Sequence, residues 1–181
     1  MPFVIGGGPC TYNPEPLADF FDLFYIGEGE TSYDALLDLY KDWKKSDESR
    51  EVFLHQAAKI PGIYVPALYE VSYKENGTLS SMEPVYDDIP RKIEKQVVTE
   101  LTASVYPDKP VVPFLKVTQD RVVLEVQRGC IRGCRFCQAG MIYRPLREKD
   151  VERLKRQADI MLANTGYEEI SLSSLSTSDY R

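Results

Sequence analysis

The sequence predicts an α/β chain, and three observations carry that expectation. Two short apolar strands, Phe3-Val4-Ile5 and Leu23-Phe24-Tyr25-Ile26, each run into a glycine-rich loop, Gly6-Gly7-Gly8-Pro9 and Gly27-Glu28-Gly29-Glu30. Helical stripes with one apolar face follow these strands. Further on, an apolar strand, a loop, a helix and a second strand between Val122 and Leu172 have the order and length of one right-handed βαβ unit of a parallel sheet.

Element by element, the first two strands read as the last units of an open α/β sheet, with a short helix over 16–21 between them. Thr31 or Ser32 is placed to cap a helix whose stripe is Tyr33, Leu36, Leu37 and Tyr40 and which ends near Trp43 to Ser46. Residues 47–59 carry Val52, Phe53 and Ala57 and read as a second helix, stopped by Pro61-Gly62. Tyr69 to Tyr73 alternates, Asn76-Gly77 supplies hairpin-turn chemistry, and Leu79 to Val85 returns as the partner strand. Prolines 90, 107, 110 and 113 make the stretch from Ile89 to Pro113 an extended connector. Val122 to Val126 is a strand that runs straight into a group of cysteines. The stripe Val151, Leu154, Ala158 and Met161 or Leu162 then forms a helix, opened by Glu148 and Asp150 and closed at Asn164-Thr165-Gly166, before a final strand over 169–172.

Composition narrows the function classes. The chain has 181 residues, 43% of them hydrophobic and 28% charged, enough for one moderate domain or two small ones. With 22 Lys and Arg against 28 Asp and Glu the net charge is −6, and no lysine-rich tract signals nucleic acid. No apolar run approaches the roughly 20 residues a membrane span requires, and the start has no signal-peptide pattern; both point to a cytoplasmic protein. The charge is uneven. Residues 121–181 hold 11 Lys and Arg against 8 Asp and Glu, a net +3, and residues 1–120 carry −9.

Four cysteines, three of them within eight residues, suit metal or redox chemistry better than a disulfide framework. The single histidine, His55, disfavours zinc-hydrolase, haem and His-based acid/base chemistry, and is read as a helix-surface or partly buried residue. Cys130-x3-Cys134-x2-Cys137, on a loop leaving a strand, has the spacing to wrap one face of an iron–sulfur cube while leaving its fourth iron open. A structural zinc ion remains the alternative, although it needs a fourth ligand that no nearby residue supplies. Five arginines, at 128, 132, 135, 144 and 147, and no carboxylate lie between Val126 and Arg147; they offset the charge of thiolates and sulfides, with at least two of them expected simply to be solvated. Gly129 and Gly133 would let the backbone curl around the cluster, and Phe136 would shield it or stack on a ligand.

The stretch Gln127-Arg128-Gly129-Cys130-Ile131-Arg132-Gly133-Cys134-Arg135-Phe136-Cys137-Gln138-Ala139-Gly140 resembles the cluster loop of radical S-adenosylmethionine (SAM) enzymes. The resemblance implies a [4Fe-4S] cluster held by Cys130, Cys134 and Cys137, with the amino and carboxylate groups of SAM on the fourth iron. It further implies reductive cleavage of the sulfonium to a 5′-deoxyadenosyl radical, fed by an external one-electron reductant of flavodoxin or ferredoxin type, and places Phe136 near the adenine. Where the family often has a Gly-Gly-Glu-like segment to hold the methionine amine, this chain has Ser171 to Asp179. Ser173 and Ser174 are the candidates there, beside the plain alternative that they end a strand.

Gly6-Gly7-Gly8-Pro9 followed by Gly27-Glu28-Gly29-Glu30 resembles the last two βα units of the cobalamin-binding domain that precedes the radical domain in one subgroup. That resemblance assigns Gly6, Gly7 and Gly8 to cobalamin, although the Asp-x-His-x-x-Gly segment common in such domains is absent. Cys10 is read as a small buried residue. The expected organisation is the end of a Rossmann-like cobalamin-binding domain over 1–45, a linker with a short helix and hairpin over 46–120, and the start of a radical SAM partial TIM barrel over 121–181, as a fragment of a longer protein. The implied activity is radical chemistry from SAM, extending to cobalamin-dependent methyl transfer; the alternative is a non-catalytic iron–sulfur or zinc-binding module. Neither the substrate nor any catalytic side chain is assigned.

Overall fold

The computed structural model describes residues 1–181, which divide into two compact units, Met1–Val98 and Thr99–Arg181. Residues 46–98 of the expected 46–120 linker pack within the first unit, and residues 99–120 within the second.

In the first unit, β1 (Ile5–Gly6) pairs in parallel with β2 (Leu23–Tyr25), and β2 pairs antiparallel with β3 (Ile63–Tyr64). Helices α1 (Tyr33–Trp43) and α2 (Arg50–Ala57) lie between β2 and β3 in sequence. Leu23, Phe24, Leu36, Phe53, Ala57, Ile63 and Tyr64 are buried together, each large side chain contributing roughly 1.5–3 kcal/mol by leaving water. Phe3 packs on Phe53 with ring centroids 4.5 Å apart and on Trp43 at 5.2 Å.

This sheet is not the parallel, helix-crossed sheet expected of a Rossmann-like domain. Two 3-10 turns, Pro9–Tyr12 and Glu15–Phe20, connect β1 to β2, and the third strand runs the opposite way. The reason lies in Pro61-Gly62, which turns the chain out of α2 and delivers Ile63 and Tyr64 beside Tyr25 and Phe24. Cys10 is exposed, contrary to its reading as a buried residue. The turn points Thr11 inward instead, where its hydroxyl donates to the Gly8 carbonyl at 2.7 Å.

Ser32 stands at the start of α1 as expected, yet its side chain makes no cap. Its hydroxyl donates to the Pro61 carbonyl at 2.8 Å, so it links α1 to the turn before β3. Ser49 does cap α2, accepting from the Val52 amide. His55 of α2 sits 3.0 Å from Asp88, which Lys59 also approaches at 2.6 Å. The hairpin forms as β4 (Tyr69–Tyr73) and β5 (Leu79–Pro84), with Asn76 Oδ1 accepting from the Thr78 amide in its turn.

The second glycine loop serves the chain itself. Gly27 has φ +127° and bridges Gln96, whose Cα would lie 2.8 Å from a side chain placed there. Gln96 and Ile26, and Glu28 and Gln96, exchange backbone hydrogen bonds of 3.0 and 2.9 Å, and the Val98 amide donates to the Glu28 carboxylate at 2.7 Å. Residues 96–98 of the expected extended connector are therefore docked along residues 26–28.

In the second unit, β6 (Val122–Glu125) pairs in parallel with a strand over Ile170–Ser173, in register from Val122 opposite Ile170 to Glu125 opposite Ser173. Between them come β7 (Gln127–Arg128), the one-turn helix α3 (Ala139–Ile142), β8 (Arg147–Glu148) and α4 (Val151–Thr165), so the closing strand is β9. Asp150 caps α4, its carboxylate accepting from the Arg153 amide at 3.0 Å, and Gly166 closes it. Val122, Leu124 and Met161 form the core with Ala158, Leu162, Tyr106 and Tyr167 packed on it. Residues 111–115 stay largely in solvent, with Phe114 fully exposed. No helix is long and apolar enough to cross a membrane.

Candidate cluster-binding loop

The cysteines lie on the excursion between β7 and β8, whose antiparallel pairing, Gln127 opposite Glu148 and Arg128 opposite Arg147, closes its base. β6, the strand that feeds it, ends one residue earlier, so the loop leaves the carboxyl end of the parallel pair. Gly129 makes the first turn at φ +86°, where a Cβ would come within 2.5 Å of the Pro145 carbonyl oxygen and 2.7 Å of that of Tyr143. Gly133, by contrast, has nothing within 4 Å and no left-handed backbone, so its smallness leaves open space on the thiol side of the loop rather than a required turn.

All three thiols are free, Cys134 exposed and Cys130 and Cys137 half-buried. Cys130 Sγ already accepts from the Arg132 amide at 3.4 Å, and the Cys137 amide donates to the Cys134 carbonyl at 3.1 Å, folding the last two cysteines into one turn. Cys134 and Cys137 line an open concavity of about 320 Å³ together with Arg132, Gly133, Arg135 and Phe136. Phe136 is 91% exposed, so it flanks the concavity and covers nothing within this chain. No three His, Cys, Asp or Glu side chains gather on a point where a single ion would sit, the three cysteines included.

Four of the five arginines are engaged. Arg128 grips Glu125 with two hydrogen bonds, of 2.7 and 3.1 Å; Arg144 donates to the Gly140 carbonyl at 3.0 Å; and buried Arg147 donates to the carbonyls of Pro145 and Tyr143 at 2.9 and 3.2 Å. Arg132 pairs with Asp179. Arg132 and Arg135 are both exposed, and only Arg135 has no partner, because the loop's own carbonyls and two carboxylates outside it engage the rest. Glu125 also faces Lys149, whose buried Nζ stands 3.5 Å from the carboxylate and 3.9 Å over the Tyr106 ring. Burial lowers the Lys149 pKa, against the opposing pull of Glu125.

The serine segment comes to the loop through contacts the sequence reading did not single out. Gln127 Nε2 donates to the Ser176 carbonyl at 2.6 Å, and Arg132 Nε donates to Asp179 Oδ2 at 2.8 Å. Arg132 holds the Asp179 carboxyl below its ordinary range, and the Ser176 hydroxyl adds to this with a 2.7 Å bond. Ser173 lies at the end of β9, where its carbonyl accepts from the Val126 amide at 3.0 Å; the Ser174 hydroxyl pairs with that of Thr177 at 2.8 Å. At the other end of the chain, Gly6 is buried with the Phe24 ring occupying the space a side chain would need, while Gly7 and Gly8 are exposed with nothing within 4 Å.

The donor set fits an iron–sulfur cluster in its chemistry: three unpaired thiols on one loop, an amide directed at the first sulfur, and Arg132 and Arg135 on the concavity that Cys134 and Cys137 line.

Comparison with known proteins agrees with this chemistry. Residues 124–181 match the family described as Radical SAM superfamily, and residues 1–66 match the family described as Radical SAM proteins, N-terminal. An uncharacterized protein of Methanocaldococcus jannaschii is 28% identical over 178 residues, which is 98% of this chain and 32% of the relative, so the chain spans about a third of that protein's length. No solved structure matches. Two separate matches to radical SAM families, one at each end of the chain, support its membership of the radical SAM superfamily.

Proposed function

We propose that this chain is the cluster-binding part of a radical SAM enzyme, in which Cys130, Cys134 and Cys137 hold a [4Fe-4S] cluster and SAM binds at its open iron. The observation that carries the reading is the three-cysteine loop, closed at its base by β7 and β8 at the carboxyl end of β6, within the segment matching the radical SAM superfamily. A cluster held by Cys130, Cys134 and Cys137 would supply the single electron, drawn from an external one-electron donor, for reductive cleavage of the sulfonium carbon–sulfur bond of SAM.

The chain's own part is positioning. Gly129 and Arg147 set the path of the loop, and the Arg132 amide donates to Cys130 as it would to a bound thiolate. Ser173 and Ser174 offer hydroxyl and carbonyl acceptors for the methionine amine, and exposed Phe136 offers a face for the adenine. Exposed Arg135 adds positive charge where an acidic reductant of flavodoxin or ferredoxin type would approach. A zinc module is the weaker reading, because a structural zinc ion takes four ligands, and residues 129–146 hold three cysteines and no histidine or carboxylate. Cobalamin-dependent methyl transfer is not part of the proposal, because beyond the glycine loop no observation supports it: the Asp-x-His-x-x-Gly segment is absent and the sheet beside Gly6 to Gly8 is not a parallel, helix-crossed one.

Anaerobic reconstitution with iron and sulfide is expected to give a brown protein with a broad charge-transfer band, which Cys134→Ala abolishes. With dithionite and SAM the reconstituted protein is expected to release 5′-deoxyadenosine. A colourless protein holding stoichiometric zinc would refute the cluster, and a cluster that yields no 5′-deoxyadenosine would leave a non-catalytic iron–sulfur module.

A further inference from the structure

We infer that Asp179 is a positioning residue that fixes the tip of the cysteine loop before any iron is bound, by gripping Arg132 midway between Cys130 and Cys134. The hydrogen bonds of residues 131–138 otherwise stay inside the loop: the Arg132 amide to Cys130 Sγ, the Cys137 amide to Cys134, and the Met141 and Ile142 amides to Gln138. The Arg132 guanidinium alone reaches out of the tip, making a two-pronged pair with the Asp179 carboxylate, through Nε to Oδ2 at 2.8 Å and through Nη2 to Oδ1.

The two partners differ in a telling way. Asp179 keeps only 9% of its side chain exposed and is held from behind by the Ser176 hydroxyl, whose residue is tied in turn to Gln127 at the loop base. Arg132 is 62% exposed. A buried carboxylate therefore holds an exposed guanidinium, and the planar fork sets orientation as well as distance. Because the same residue's amide donates to Cys130 Sγ, the grip on the Arg132 side chain also fixes the backbone that addresses the first sulfur. The spacing between the first two thiols is thereby set in the metal-free chain, so less loop entropy is lost when the ligands are recruited.

The role in cluster binding rests on the function proposed above; the latch itself does not, and the two fail separately. In the metal-free full chain, trypsin cleavage after Arg132 is compared with cleavage after Arg135, the exposed neighbour without a partner. Global unfolding raises both cuts together, so their ratio reads only the latch. In the wild type the Arg132 cut is expected to be about tenfold slower than the Arg135 cut, because proteolysis follows the population of the open form. Asp179→Ala should bring the two rates together and Asp179→Glu should restore most of the difference. Ser176→Ala, which leaves its backbone carbonyl in place, should give an intermediate ratio and serves as the second reading if Asp179→Ala does not fold. Equal cutting in the wild type, or an unchanged ratio in the Asp179 and Ser176 variants, overturns the latch. In reconstituted protein, Asp179→Ala is expected to lose iron to a chelator several-fold faster than wild type, and equal loss overturns its role toward the cluster. If the wild type takes up no iron, the function above fails while the tryptic ratio still decides the latch.

Discussion

At Gly129 the chain leaves β7 with φ +86°, and the surrounding carbonyls of Tyr143 and Pro145 leave no room for a methyl group. Gly129→Ala combines a left-handed backbone with a 2.5 Å approach to a carbonyl oxygen and should cost on the order of 1–3 kcal/mol, read as a lower urea midpoint, together with reduced iron uptake. Gly133→Ala meets nothing within 4 Å and should stay within about 0.5 kcal/mol of wild type in the same titration. Equal effects at the two positions would refute this division of labour between two glycines of one motif. The sequence shows both glycines and all five arginines but not what each one meets. Arg128 finds Glu125 three residues away, whereas Arg132 finds Asp179 at a separation of 47, and a partner so distant becomes visible only once β6 and β9 are paired.

Elements whose cause is local were the most legible. α4 was readable from its stripe and its two ends, and the structure begins it at Asp150 and closes it at Gly166. Asp150→Ala removes the acceptor of the Arg153 amide and should lower stability by about 1 kcal/mol, checked by the urea midpoint. Asp150→Asn, which keeps a side-chain oxygen, should recover most of that loss. The hairpin of β4 and β5 was equally visible, since Asn76-Gly77 and alternation on both sides lie within one short stretch. What escaped the sequence is pairing across distance. β3 joins β2 in the opposite direction, residues 96–98 dock beside residues 26–28, and β7 with β8 makes a ladder of only two residue pairs. Two-residue strands have no periodicity to detect. Ser32 shows the same limit from the other side: its type suits a helix cap, but Pro61 delivers a carbonyl that takes the hydroxyl instead.

For the whole chain, the division at Val98 and Thr99 separates a unit held by an aromatic core from a unit that carries the candidate cluster loop. A single tryptophan makes the two separately observable. Trp43 is the only one in the sequence, and it packs on Phe3 at 5.2 Å and Phe53 at 5.4 Å, so its fluorescence reports the first unit alone. The cysteines at 130, 134 and 137 all lie in the second unit, so the charge-transfer absorbance reports that one. Each unit has its own buried cluster, with no residue shared between them, and perturbations at independent sites are additive. Cys134→Ala and Gly129→Ala should therefore remove or weaken the absorbance transition on heating while leaving the Trp43 transition within about 2 °C of wild type, since a change confined to one cooperative unit does not propagate to another. Conversely, Phe53→Ala opens the core around Trp43, should cost about 3–5 kcal/mol there, and should shift the fluorescence transition without moving the absorbance of the cluster. A single coincident transition in both signals, moving together in every variant, would mean that the chain unfolds as one cooperative body and that the two cores are energetically coupled.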